Sequence, residues 1–271
     1  MTSSAAKRAR RDEVSPLEVD RLVLDVTPIQ FQRALDPEMQ RIMADFGGAA
    51  LGEIGAGAAF NLIDSRVIGF LNEFAATRVV GITKTLRRSI QVELQKGVLA
   101  GEGAEAIARR VRLVFEQASR VRAVTIARTE VNAAANEARL QAFRQSGIIG
   151  SKKWNATLDS RTRTTHRELH GQTKPISQPF VVPSTQARAM RPGGFSDAGE
   201  DINCRCVLIP VLSKRGDDEV DLLSNAERNT VASFDRMTRR WEARFAAVVR
   251  GVYRKIETQI LADLVKADMD L

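Results

Sequence analysis

Between residues 64 and 99, apolar side chains fall at Val67, Leu71, Phe74, Val79, Ile82, Leu86, Ile90 and Leu94, steps that keep one stripe on one helix face. The pattern predicts a long helix ending at Gly97, a second opening after Gly103, and a third from about Ala118 to Ser146. Upstream, Val26, Ile29, Phe31, Leu35, Met39, Ile42, Met43 and Phe46 predict helices broken near Pro28 and Pro37. Five glycines within residues 47–60 predict a hinge or a close-packed turn, since the stretch lacks the spacing of a phosphate-binding loop. Residues 219–268 return to the helical period, with Phe234, Trp241, Phe245, Val252, Ile256, Ile260 and Leu264 on one side and arginines and acids on the other. That helix either packs on the N-terminal helices of its own chain or makes an assembly contact.

The period changes between Gly150 and Leu212. Trp154, five of the eight prolines, both histidines and both cysteines lie there. Short strands fit 152–159, 179–183 and 204–212, whose β-branched and aromatic residues suit a half-buried pleated surface. The chain therefore reads as a mainly helical α+β protein. A basic arm spans 1–15, an elongated helical module 16–147, a small α+β domain 148–213 and a long amphipathic C-terminal helix 219–271.

Composition adds a partner class. Apolar residues make up 44% of the chain, enough for a core, and a net charge of +8 favours a polyanion such as DNA. The arm concentrates that charge in Lys7, Arg8, Arg10 and Arg11, which either form a solvated tail or contact DNA. The arm has no apolar segment of the kind that follows the charges of a signal peptide, and no run reaches 18 apolar residues. The expectation is a chain with no membrane partner. Two cysteines one residue apart make a strained disulfide, which points to the cytoplasm.

Two constellations carry candidate chemistry. His166 and His170 are four apart, a spacing that shares one helix face, and Cys204 and Cys206 are two apart, which shares one side of a strand. Two imidazoles and two thiolates would fill a tetrahedral structural zinc site; the other reading is a core strand with satisfied histidines. Strand partners two apart hold their Cβ atoms about 7 Å apart, so the strand would have to bend to share one ion. Asp159, Arg161, Arg163 and His166 could together clamp and cleave a phosphodiester. Their alternative is structural, a helix entry or an Asp–Arg loop staple.

Ala-Arg-Thr-Glu at 127–130, Trp154, Asp159-x-Arg161-Thr162-Arg163, His166, Gly171 and Asn203-Cys204-Arg205-Cys206, in this order, resemble the phage Mu F-like family of head morphogenesis or minor head proteins. The resemblance covers about 126–210. It implies a structural motif made of Arg128, Glu130, Trp154, Asp159, Arg161, Arg163, Gly171 and Asn203. It also implies a low-copy virion protein that acts in head assembly, DNA packaging or DNA delivery. Its implied place is the head interior and portal vertex, reached from the host cytoplasm, beside the portal protein, the major capsid or scaffold protein and packaged double-stranded DNA. No groove-reading motif is present, so any DNA contact would be non-specific. The leading expectation is a protein without catalysis or cofactor, apart from the zinc of the metal reading. The rival is a nuclease or nucleotide-transferase-like enzyme using His166 with Asp159 and Arg163.

Overall fold

The computed structural model describes residues 26–211 and 220–269. The basic arm, with Lys7, Arg8, Arg10 and Arg11, lies outside the described residues. Helix α1 (Pro28–Glu53) is followed by α2 (Ser65–Glu73), α3 (Val80–Leu99), α4 (Ala104–Gln117) and α5 (Ala123–Ser146). Strand β1 (Ser151–Asn155), helix α6 (Thr164–Leu169), strands β2 (Thr173–Pro175), β3 (Phe180–Val181) and β4 (Arg188–Ala189), helix α7 (Ala198–Asp201) and strand β5 (Val207–Val211) come next. Helix α8 (Val220–Met269) ends the described chain. The architecture is the expected mainly helical α+β.

Pro28 opens α1, where its missing N–H is no loss, but Pro37 lies inside the helix and does not break it. Leu35, Met39, Ile42, Met43, Phe46 and Ala50 are fully or almost fully buried, and this continuous stripe outweighs one lost backbone hydrogen bond. The same burial carries α1 through Gly47, Gly48 and Gly52, so the expected hinge begins only at the turn around Gly55. Gly47 does serve close packing: a Cβ there would sit 2.4 Å from Cγ of Phe60. The break expected near Ala118 is instead a π-helical turn, Ala118–Arg122, between α4 and α5, and a second such turn, Phe74–Val79, joins α2 to α3.

The chain forms two compact units. The first takes residues through Asp36, Glu73–Val124 and from Ala246 onward. In it α3 and α4 form a hairpin whose approach requires Gly97, where a Cβ would lie 2.8 Å from Cγ1 of Ile107. Arg110 closes the turn with hydrogen bonds of 2.6 Å to each carboxylate oxygen of Glu102. Phe31 and Phe115 set their rings edge-on to Tyr253, with centroids 5.8 and 6.3 Å away.

The second unit takes Pro37–Asn72 and Thr125–Phe245. Its sheet has the order β2-β1-β5, antiparallel throughout, with Trp154 opposite Leu208. A two-stranded ribbon, β3-β4, completes the β structure of the described residues. Strands β2 and β4 are too short and polar to give a sequence signal. Trp154 is the centre of the core, edge-on to Phe180 at 5.3 Å, with Leu169, Leu208 and Phe143 buried around it. Within this unit α8 packs on α1: Phe234 meets Phe46 at 5.4 Å, Trp241 donates to Asp45 at 3.1 Å, and Arg244 pairs with Glu38 at 2.7 Å.

Candidate functional site

Strand β5 lies at the sheet edge, where its free backbone groups need partners. Helix α5 supplies them from three buried polar side chains. Asn132 and Asn136 donate to the Cys206 carbonyl at 3.2 and 3.0 Å, Leu208 N–H donates to Asn136 Oδ1 at 2.8 Å, and Arg139 Nε donates to the Leu208 carbonyl at 2.8 Å. Sequence reasoning missed these three, although Asn132, Asn136 and Arg139 stand at helical spacing in a run of alanines.

The segment ahead of β5 is not a strand, and here the structure corrects the expected geometry of the cysteines. Asn203 takes a left-handed φ of +57°, and the Cys204 N–H closes a turn onto the Asp201 carbonyl at 3.2 Å. Extended pairing starts only at Val207, so the thiols escape the alternation that would have held them apart. Asn203 is itself tied to α5: its N–H donates to Thr129 Oγ1 at 3.1 Å and its Oδ1 accepts from Arg128 at 3.4 Å. Arg128 also lies 3.8 Å from Glu242, and Glu130 is buried.

The two histidines part company. His166, on α6, is buried, with Nδ1 3.3 Å from Cys206 Sγ and 3.8 Å from Cys204 Sγ. Helix α6 ends at Leu169, and His170 leaves the helical path with ψ 128°, so the four-residue spacing no longer shares a face. His170 is exposed, and its Nδ1 accepts the Ala156 N–H at 3.1 Å. His166, Cys204 and Cys206 keep their ligand atoms within 4.8 Å of one another. His170 is not among them. Hydrogen bonding from Cys204 and burial act in opposite directions on Cys206, and the hydrogen bond prevails: the Cys206 thiol is pulled down, while hydrogen bonding to Cys206 and burial push that of Cys204 up.

The remaining motif residues brace loops. Arg205 grips both Asp159 oxygens at 2.7 Å and holds that carboxyl well below the usual carboxylate range. Asp159 also accepts from the Arg161 N–H at 2.9 Å, and Arg161 itself is exposed. Arg163 donates to the Ile202 carbonyl at 2.6 Å, and Arg167 donates to the Thr162 and Asp159 carbonyls. Helix α6 starts at Thr164, with Arg163 ahead of it, so Asp159 does not cap it; Asp159 is a staple between two loops. Gly171 ends the turn after α6 with φ +80° and donates to the Trp154 carbonyl at 2.8 Å. Beside this network, Arg128, Arg161, Arg205 and Arg239 line a cavity of about 300 Å³ with Asp235 and Glu242, and burial pushes the Glu242 carboxyl up.

Residues 88–209 match the family described as phage Mu protein F like protein. The matched segment, rather less than half of the chain, is similar to that family. Within this Mu F-like region fall Arg128, Glu130, Trp154, Asp159, Arg161, Arg163, Gly171 and Asn203, together with both cysteines. The chain is 30% identical over 155 residues, 56% of its length, to the protein named NAD(+)--arginine ADP-ribosyltransferase EFV of Enterococcus faecalis. It is 34% identical over 130 residues, 47% of its length, to minor head protein GP7 of Bacillus phage SPP1, and 23% identical over 189 residues, 69% of its length, to the uncharacterized protein YqbB of Bacillus subtilis. It spans 31%, 41% and 62% of those three proteins respectively. No solved structure matches the chain. Among the described residues, no helix is long and apolar enough to cross a membrane.

Proposed function

We propose that this protein is a structural component of a tailed-phage head or phage-derived particle, built into the portal vertex as a minor head protein. The observation that carries this reading is the bidentate clasp of Asp159 by Arg205. The carboxylate that a phosphodiester chemistry would need as acid or base is already spent on holding two loops together. His166 is buried against thiols, and Arg163 is turned onto a backbone carbonyl. The likeness to a phage protein named as a minor head protein points the same way.

In this role the Mu F-like unit is a rigid knob, and the helices around it dock onto the portal protein and the capsid or scaffold protein. The excess of arginine faces packaged DNA without reading its sequence, through salt-sensitive phosphate contacts that include Lys7, Arg8, Arg10 and Arg11. Imaging of labelled protein in assembled particles tests this. Density at one vertex, in few copies, is the expected result; absence from purified particles contradicts it.

A second reading has one observation in its favour, the 30% identity to a protein named as an ADP-ribosyltransferase. The shared part is 31% of that protein. This reading requires turnover of NAD or nucleic acid that disappears in His166→Ala.

A further inference from the structure

We infer that His166 Nδ1, Cys204 Sγ and Cys206 Sγ form a binding site for a soft divalent ion, zinc by preference. Zinc bonds of about 2.3 Å to sulfur and about 2.0–2.1 Å to nitrogen, at tetrahedral angles, place a ligand nitrogen and sulfur about 3.6 Å apart. The two spacings here, 3.3 and 3.8 Å, bracket that value. All three residues are at least 97% buried by side chain or residue, so the ion would be shielded from competing ligands.

The surroundings supply what the imidazole needs. A metal-binding histidine usually presents its other nitrogen to a carboxylate, which fixes the tautomer and frees the lone pair for the ion. His166 Nε2 is buried, lacks a hydrogen-bond partner, and lies 3.2 Å from Glu200 Oε2. Glu200 is held at that spot by the Thr165 hydroxyl at 2.8 Å. A slight turn of the carboxylate makes Nε2 the donor and leaves Nδ1 facing both sulfurs. A cavity of about 20 Å³ opens on His166, Cys204 and Cys206, room for one water as the fourth ligand. On binding, the ion displaces the thiol protons into solvent and no electron is transferred.

Such an ion would tie α6 to the segment before β5 across the 38 to 40 residues that separate His166 from the cysteines. The sequence expectation of four protein ligands becomes three, with His170 kept for the Ala156 N–H. The inference is independent of the head role, because it is read from the purified chain.

The full chain, purified with zinc present and passed through a desalting column, is measured by elemental analysis and then exchanged with cobalt(II). The expected result is about one ion per chain, a thiolate-to-cobalt charge-transfer band, and the visible absorption of a tetrahedral centre. Cys204→Ser and Cys206→Ser abolish the band, while His170→Ala keeps it. Less than about a tenth of an ion per chain with no cobalt band in the wild type overturns the inference, as does retention of the full band in both serine variants. The wild-type measurement decides the matter even where a serine variant fails to fold.

Discussion

Asn136 Oδ1 accepts the Leu208 N–H at 2.8 Å inside the core, while its Nδ2 donates to the Cys206 carbonyl at 3.0 Å. One helix side chain thereby substitutes for the missing neighbour strand of β5. Replacing it with alanine strands a buried donor and weakens the hold on a buried carbonyl, each costing about 1–3 kcal/mol. Asn136→Ala is expected to lower unfolding free energy by about 2–4 kcal/mol in urea titration, with Asn136→Asp no better, because the acid cannot donate to Cys206.

The Asp159–Arg205 clasp should behave as one unit. In a double-mutant cycle, Asp159→Ala and Arg205→Ala each destabilise, and the double variant is no worse than either alone. The sign of the pH effect follows from the depressed carboxyl. Its contribution is present above the unfolded carboxylate range and is lost as pH falls below it. Acid titration followed by circular dichroism should show wild type losing more stability than Asp159→Asn below about pH 4.

Lys152 is fully buried, donating to the Met190 carbonyl at 2.8 Å and to Ile176 at 3.3 Å, with its ammonium over the Phe180 ring. Burial drives its pKa from 10.5 down to about 8. Between those values the unfolded chain holds more protons than the folded one, so stability contributed by this site rises with pH. Thermal melts from pH 8 to 10 should show wild type gaining relative to Lys152→Met, which is the less stable of the two at pH 7 because two carbonyls lose their donor.

Gly193 takes φ +70°, and a Cβ there would lie 3.1 Å from the Ala133 Cα on α5. Both the backbone and the contact resist a side chain. Gly193→Ala should cost about 1–3 kcal/mol, seen as a lowered melting temperature with an unchanged far-ultraviolet spectrum.

The helices were legible because burial at helical spacing is written along the chain. The stripe through Phe234, Trp241, Phe245, Ile256 and Ile260 in α8 is the same in sequence and in structure. Pro37 misled because a local breaker competes with a tertiary stripe, and the stripe wins. The gathering of His166 with both cysteines was legible from the scarcity of those residue types. The separation of His170 was not, since it depends on where α6 stops. Asn132, Asn136 and Arg139 carried no motif signal; their role exists only once β5 is known to be an edge.

The proposed role has the Trp154-to-Cys206 region bracing itself and performing no chemistry. Its most direct measurement is product formed per chain when the purified protein meets NAD, RNA or DNA, in wild type and in His166→Ala. The account predicts no product above background in either. More than one product molecule per chain, lost in His166→Ala, would contradict it.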